Sequence, residues 1–342
     1  MKKRIFAAVL SLMVFLSCLV SGAALAETEP IRIVTTIFPI YDWVREIVGD
    51  EADFVRITLL LDNGVDLHSY QPTAQDIMTI STADLFLYVG GESDAWVEDV
   101  LNAAPKPGPE TVNLLSALGD AVKTEEIVEG MEHEHEHEHE HEHEDEDEDE
   151  HEHEHGDEDH EHEEEADEHV WLSLRNAQKL TAVIAETLAG IDPSRADPYR
   201  ANASAYAEKL AALDALYAET VRNAARRTLL FADRFPFRYL ADDYGLTYYA
   251  AFSGCSAESE ASFQTIIFLA QKVDELGLPV VLTIENPKTR IAETVVEATQ
   301  AKTAGILSMN SLQNFTLRDV QEGGTYLSVM EENLETLKEA LN

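Results

Sequence analysis

The chain has 342 residues, with 66 acidic side chains against 24 basic ones and a formal charge of −42. A field of that sign repels a phosphate backbone at every approach and excludes nucleic acid as a partner. The hydrophobic content of 45% is ample for one large or two medium cores.

The acidity is concentrated. Residues 132–168 hold 24 of the acidic side chains and 11 of the 13 histidines, with one Gly, one Ala and no Lys or Arg. Without that tract the remainder carries 42 acidic and 24 basic residues, a net of −18, which is ordinary for a soluble acidic protein.

In chain order, Lys2, Lys3 and Arg4 precede an apolar run from Ile5 to Val20, and Ala24-Leu25-Ala26 supplies small residues for cleavage. That three-part layout predicts a secretory signal peptide over 1–26 and an exported protein, in the periplasm or on the outer face of the cytoplasmic membrane. The run is at the short end for a membrane span. Cleavage after Ala26 is favoured over lipid attachment at Cys18, because Phe15 stands where such sites usually carry Leu. The mature chain then contains one cysteine, Cys255, and no internal disulfide.

Ile31 to Thr36 reads as a strand, Ile40 to Val48 as a helix closed by Gly49, Phe54 to Leu61 as a second strand and Asp84 to Val89 as a third. Strands separated by helical stretches imply βαβ units and a mainly parallel sheet. The tract at 132–168 has nothing apolar to bury and is expected to remain unfolded. Leu174 to Ala189 and then Tyr199 to Ala225 show helical spacing, the second about 40 Å long. Leu229 to Phe231, Tyr248 to Phe252, Val280 to Ile284 and Gly305 to Met309 are further strands. Helices are predicted over Ser262–Leu276, Thr289–Thr303 and Tyr326–Leu341. The fold class is therefore α/β: an N-terminal lobe over 27–192, a linking helix over 193–225 and a C-terminal lobe over 226–342.

Histidine limits the chemistry. Eleven lie between 133 and 162, which leaves His68 and His169 for the folded body, each at the junction of a loop with an element. One isolated histidine is more often structural than functional. Two at such junctions, beside a tract of eleven more in near-strict alternation with Glu, point instead to a divalent transition metal. The tract offers many weak, exchangeable sites, and calcium would have no use for its imidazoles.

Four segments carry a resemblance. Val34-Thr-Thr-Ile-Phe-Pro-Ile-Tyr-Asp-Trp43, Gly64-Val-Asp-Leu-His-Ser-Tyr-Gln-Pro-Thr73, His169-Val-Trp-Leu172 and Gly324-Thr-Tyr-Leu-Ser-Val-Met-Glu-Glu-Asn333 resemble the signatures of the solute-binding proteins of zinc and manganese ABC importers, cluster A-I. The likeness covers essentially the whole mature chain. It implies two lobes joined by a rigid helix, metal in the cleft between them, and a membrane permease as partner. It also implies His68 and His169 as the first-lobe ligands, and the His-rich loop is typical of the zinc branch. Zn²⁺ is the expected cargo, with Mn²⁺ as the alternative, and the protein is expected to be monomeric.

The second lobe departs from the family pattern. The position that usually carries a ligand aligns with Ala232 in Phe231-Ala-Asp-Arg-Phe-Pro-Phe237, and Ser308-Met-Asn-Ser-Leu-Gln313 offers only amides and hydroxyls where a late carboxylate is usual. Asp233 and Glu285 are the nearest carboxylates and are expected to complete the site. Cys255, followed by Glu258 and Glu260, ranks behind them, because a lone exposed thiol in an oxidising compartment is prone to oxidation and pairing. A secreted zinc hydrolase would need three firm ligands and a general base. With two body histidines and no His-Glu-x-x-His, the sequence does not supply them. A metal-buffering adhesin on the same scaffold is the other alternative.

Overall fold

The computed structural model describes residues 29–62, 64–131, 165–256, 260–285 and 289–342. The expected leader, the eleven tract histidines and Glu258 lie outside the described residues. Four short strands, β1 (Ile31–Thr35), β2 (Val55–Leu59), β3 (Leu85–Tyr88) and β4 (Glu110–Asn113), form a sheet in the order β2-β1-β3-β4 with every pair parallel. Ile33 sits opposite Ile57 on one side and Leu85 on the other, so the central strand is apolar on both flanks, as parallel sheets require.

The crossover from β1 to β2 is α1 (Phe38–Val48), with Pro39 in its first turn and Gly49 at its end. Gly49 has φ 54°, and a Cβ there would stand 2.6 Å from Asn202 Nδ2, which donates to Ile47 O at 3.0 Å. Only glycine satisfies both constraints. Three short helices, α2 (Ala74–Ser81), α3 (Trp96–Ala103) and α4 (Leu114–Leu118), complete this lobe. Neither β4 nor these helices is foreseen by periodicity, since four to eight residues are too few for a period to show.

Two long helices follow, α5 (Leu174–Ile191) and α6 (Ala196–Asn223), joined by a single turn at Pro193–Arg195. Helix α6 has 28 residues, about 42 Å at the standard rise. Its buried residues, among them Tyr199, Tyr206, Leu210, Leu213 and Tyr217, recur every three or four positions and form one stripe.

The second sheet repeats the first. β5 (Thr228–Phe235), β6 (Thr247–Ser253), β7 (Val280–Ile284) and β8 (Gly305–Met309) run in the order β6-β5-β7-β8, again all parallel. Around them lie α7 (Arg238–Tyr244), α8 (Phe263–Leu276), α9 (Arg290–Ala298), α10 (Leu317–Gln321) and α11 (Tyr326–Ala340). Thus the chain is a two-lobed α/β protein whose lobes are joined by a long helix. Several boundaries differ from expectation, and the helix expected to run to Thr303 ends at Ala298. β5 extends four residues beyond Phe231 because its register against β6 slips between Phe231 and Arg234, a bulge that lengthens the strand. The tract also ends earlier than residue 168: Ala166 pairs with Thr124 in an antiparallel bridge, and Asp167 and Glu168 are buried.

Residues Ile31–Asn342 form one compact unit, and its largest apolar cluster runs from Ile33 through the linking helix to Leu341. Where the lobes meet, Tyr326 packs edge-on to Trp43, and its hydroxyl donates to Trp171 O at 2.7 Å. Trp171 Nε1 in turn donates to Ser311 O at 2.8 Å. Asp42 on α1 accepts the Tyr326 backbone N–H at 2.9 Å, which caps the start of α11.

Burial pushes the Asp42 carboxyl up to about 6, against the opposing pull of that N–H and of Arg45. Unfolded, the group titrates near the ordinary carboxylate value. Between about 4 and about 6 the unfolded chain therefore ionises first, and stability falls as pH rises. Asn at this position keeps an acceptor for Tyr326 and carries no charge. Asp42→Asn should raise the melting temperature by several degrees at pH 7.5, with the gain fading as pH drops through 6 toward 4. Thermal melts across that range check it.

Candidate metal centre

Both body histidines are placed by the same local device. Asp66-Leu67-His68 and Asp167-Glu168-His169 each fold so that the Asp Oδ1 accepts the backbone N–H of the histidine two residues on, at 3.0 Å and 2.9 Å. The repeat of Asp-x-His was present in the sequence and was the signal that would have identified Asp66 and Asp167 as positioning residues. His169 is fully buried, and His68 is nearly so.

The rings are then oriented through Nδ1. His169 Nδ1 lies 3.0 Å from Asp167 Oδ1. His68 Nδ1 lies 2.8 Å from Ser93 Oγ and 3.5 Å from Glu168 Oε2. Ser93 donates its backbone N–H to Glu168 Oε1 at 2.9 Å, which turns the other carboxylate oxygen toward His68 Nδ1 as an acceptor. These partners assign the ring proton to Nδ1 in both histidines and leave each Nε2 with a free lone pair. The two Nε2 atoms face each other at 3.1 Å. Tetrahedral zinc with bonds of about 2.05 Å sets two nitrogen ligands about 3.3 Å apart, so the pair is already at ligand spacing. Burial, and then the neighbouring His169, hold His68 protonation well below the usual imidazole range.

The second lobe closes over this pair. The turn after β6 passes so near the His169 ring that a Cβ on Gly254 would lie 3.0 Å from Cε1 and 2.9 Å from Phe235 O. That close approach carries Cys255 alongside, its backbone N–H donating to Glu125 Oε1 at 2.8 Å. The donor atoms of His68, His169 and Cys255 all lie within 4.8 Å of one another, and among the described residues they are the group of His, Cys, Asp and Glu donors able to hold a metal. Burial pushes the thiol pKa up, and the carboxylates of Glu125, Asp167 and Glu168 add to it. From the loop after β8, the Gln313 amide nitrogen reaches His169 Nε2 at 2.7 Å and His68 Nε2 at 3.2 Å.

Asp233 and Glu285, expected as second-lobe ligands, line the adjoining cleft of about 500 Å³ but do not join this group. Asp233 sits in the bulge of β5, and its carboxylate accepts the Arg234 N–H at 2.9 Å and, beyond the β5–β7 pairing of Phe231 with Leu282, the Ile284 N–H at 3.2 Å. Glu285, at φ 49°, accepts both the backbone N–H and the hydroxyl of Ser311 and shapes the turn that leads to Gln313. Burial raises both carboxyl pKa values. Ala232 is buried beside them and offers no donor.

Asp233→Ala should therefore act on the fold first, costing about 1–3 kcal/mol for the stranded Ile284 N–H, while lowering zinc affinity less than His169→Ala does. Denaturation midpoints beside competitive zinc titrations check this. Gly254→Ala should weaken metal binding as well as stability, because its methyl group displaces the His169 ring.

A two-lobed α/β frame with buried imidazole donors gathered between its sheets is the architecture of a cleft-type metal-binding protein. The chain belongs to the ZnuA family, zinc-uptake complex component A, periplasmic, whose model matches residues 33–340. It is 32% identical over 311 residues to the zinc-binding lipoprotein AdcA of Streptococcus pneumoniae serotype 4, a match covering 90% of this chain and 55% of AdcA. The chain thus spans about half the length of that relative. It is 30% identical over 320 residues to the high-affinity zinc uptake system protein ZnuA of Bacillus subtilis strain 168, covering 94% of this chain and 90% of the relative. The crystal structure of the Zn(II)-bound ZnuA-like domain of S. pneumoniae AdcA superposes with a TM-score of 0.66 at 29% identity, over 91% of this chain and 99% of that one. Among the described residues no helix is long and apolar enough to cross a membrane.

Proposed function

We propose that this protein is the extracytoplasmic receptor of a zinc importer, taking Zn²⁺ into the cleft and delivering it to an ABC-type membrane permease. The observation that carries the reading is the Nε2 pair of His68 and His169 at 3.1 Å, both rings fixed through Nδ1. Membership in a zinc-uptake family supports it, as do the zinc-binding names of the relatives. The donors favour zinc over manganese: imidazole and thiol suit Zn²⁺, whereas Mn²⁺ prefers carboxylate, and the nearby carboxylates are committed to backbone donors. The eleven histidines between 133 and 162 supply, on sequence grounds, weaker exchangeable sites for the metal.

Competitive titration of the purified chain should show one tight zinc site and several weak ones. His68→Ala or His169→Ala should remove the tight site and spare the weak ones, whereas deletion of 132–164 should do the reverse. Zinc uptake in cells lacking the receptor, restored by wild type and not by His169→Ala, separates delivery from buffering or adhesion. A chain with a single class of weak sites would defeat the reading.

The sites should also separate by pH. Exposed imidazoles protonate near 6.5, somewhat higher among carboxylates, and a protonated imidazole cannot bind metal. Burial keeps His68 neutral well below that. Lowering pH from 7.5 to 5.5 should strip the weak sites and leave about one zinc per chain, as measured by metal analysis after dialysis.

A further inference from the structure

The family pattern leaves the second lobe without a histidine ligand, since Ala232 stands in the usual place. Yet the lobe still reaches the two imidazoles, through the turn after β6. Three independent contacts fix that turn. Gly254 lies against the His169 ring, with space for a hydrogen and none for a methyl group. The Cys255 N–H is held by Glu125, on the strap that leads into the tract. Arg234 donates to Ser256 O at 3.2 Å and, with its other terminal nitrogen, to Asp66 Oδ2 at 2.7 Å. Asp66 is also the residue that turns the chain into His68. One guanidinium therefore ties the loop carrying His68 to the loop carrying Cys255.

We propose that Cys255 is the third protein ligand of the cleft, so that the metal is held by two imidazole nitrogens and one thiolate. This rests on the zinc-receptor reading above. In a tetrahedral site, zinc–nitrogen bonds of about 2.05 Å and a zinc–sulfur bond of about 2.3 Å set sulfur about 3.6 Å from each nitrogen. The donors lie within 4.8 Å of one another, so closure needs a movement of about an ångström. The balance is simple: the S–H bond breaks, a Zn–S bond forms, and one proton passes to solvent by way of the surrounding carboxylates. No electron moves. The fourth direction is where the Gln313 amide now lies, 2.7 Å and 3.2 Å from the two nitrogens. A thiolate in place of the usual oxygen or nitrogen donor softens the site. It selects zinc-class cations such as Zn²⁺ and Cd²⁺ and turns away Mn²⁺ more strongly than a carboxylate pair would.

Co²⁺ is the probe. Loaded into the tight site, it should give the near-ultraviolet thiolate-to-metal charge-transfer band together with the intense visible bands of tetrahedral coordination. Cys255→Ser should abolish the near-ultraviolet band. Zinc affinity of Cys255→Ser should fall at least about 100-fold, the upper end of what loss of a supporting residue around a metal causes. The Zn²⁺/Mn²⁺ preference should shrink with it. A wild-type Co²⁺ protein without the band, or a Cys255→Ser variant with wild-type zinc affinity, would overturn the sulfur ligand while the two-imidazole receptor stands. A wild-type chain that holds no zinc against a chelator would overturn both.

Discussion

Two imidazole nitrogens with their lone pairs directed at one another 3.1 Å apart, one ring fully buried and the other nearly so, form an arrangement that no pair of side chains adopts unaided. It persists because each ring is already committed at its other nitrogen, His169 to Asp167 and His68 to Ser93. The Asp-x-His turns fix the backbone beneath the rings, and Glu168 orients Ser93. With both protons held at Nδ1, the space between the Nε2 atoms calls for positive charge. The Gln313 amide hydrogens supply a partial one.

The rest of the chain can be understood as what holds that pair in place from two sides. The first sheet delivers His68 in the loop after β2, while His169 arrives just before α5 on a strand segment bridged to Thr124. The second sheet presents Gly254, Cys255 and Gln313 at the ends of β6 and β8. Ligand groups at the carboxyl ends of parallel strands are the general rule for open α/β sheets, and here two such edges face each other. The apolar cluster continuous from Ile33 to Leu341, with Trp43, Trp171 and Tyr326 at its centre, resists large lobe motions. Small displacements of loops, rather than domain rotation, are what so continuous a core permits.

Much of this was legible in the sequence, for identifiable reasons. Parallel strands buried on both faces appear as apolar runs, so β3 and β7 were readable directly, and the seven-residue stripe on α6 was long enough to show its period. The scarcity of histidine outside the tract singled out His68 and His169. The second lobe was harder, because proximity to Ala232 in sequence favoured Asp233, and a strand end favoured Glu285. Periodicity cannot reveal a one-residue bulge, and Asp233 sits in it with its carboxylate on the Ile284 N–H. Glu285 is committed to a turn that exists only once β7 and β8 are paired. Cys255 was set aside as exposed. It is only partly so, since Gly254 lets the turn settle onto His169.

A receptor of the proposed kind must also be stable without metal, and Gln313 addresses that requirement. An empty pocket with two buried acceptors facing one another would carry a penalty of about 1–3 kcal/mol for each group left unsatisfied. The Gln313 amide removes that penalty by donating to both nitrogens at 2.7 Å and 3.2 Å. An incoming cation must displace it, so the affinity measured is the difference between metal bonds and amide bonds, not the metal bonds alone. The same exchange run in reverse lowers the cost of release, because the departing ion is replaced at once by donors already attached to the wall. Leu312, held at φ 64°, and Ser311, fixed by Glu285 and by Trp171, keep those donors within reach. On this account the carboxylate of Glu285 anchors, through Ser311, the loop whose amide reaches the two imidazoles.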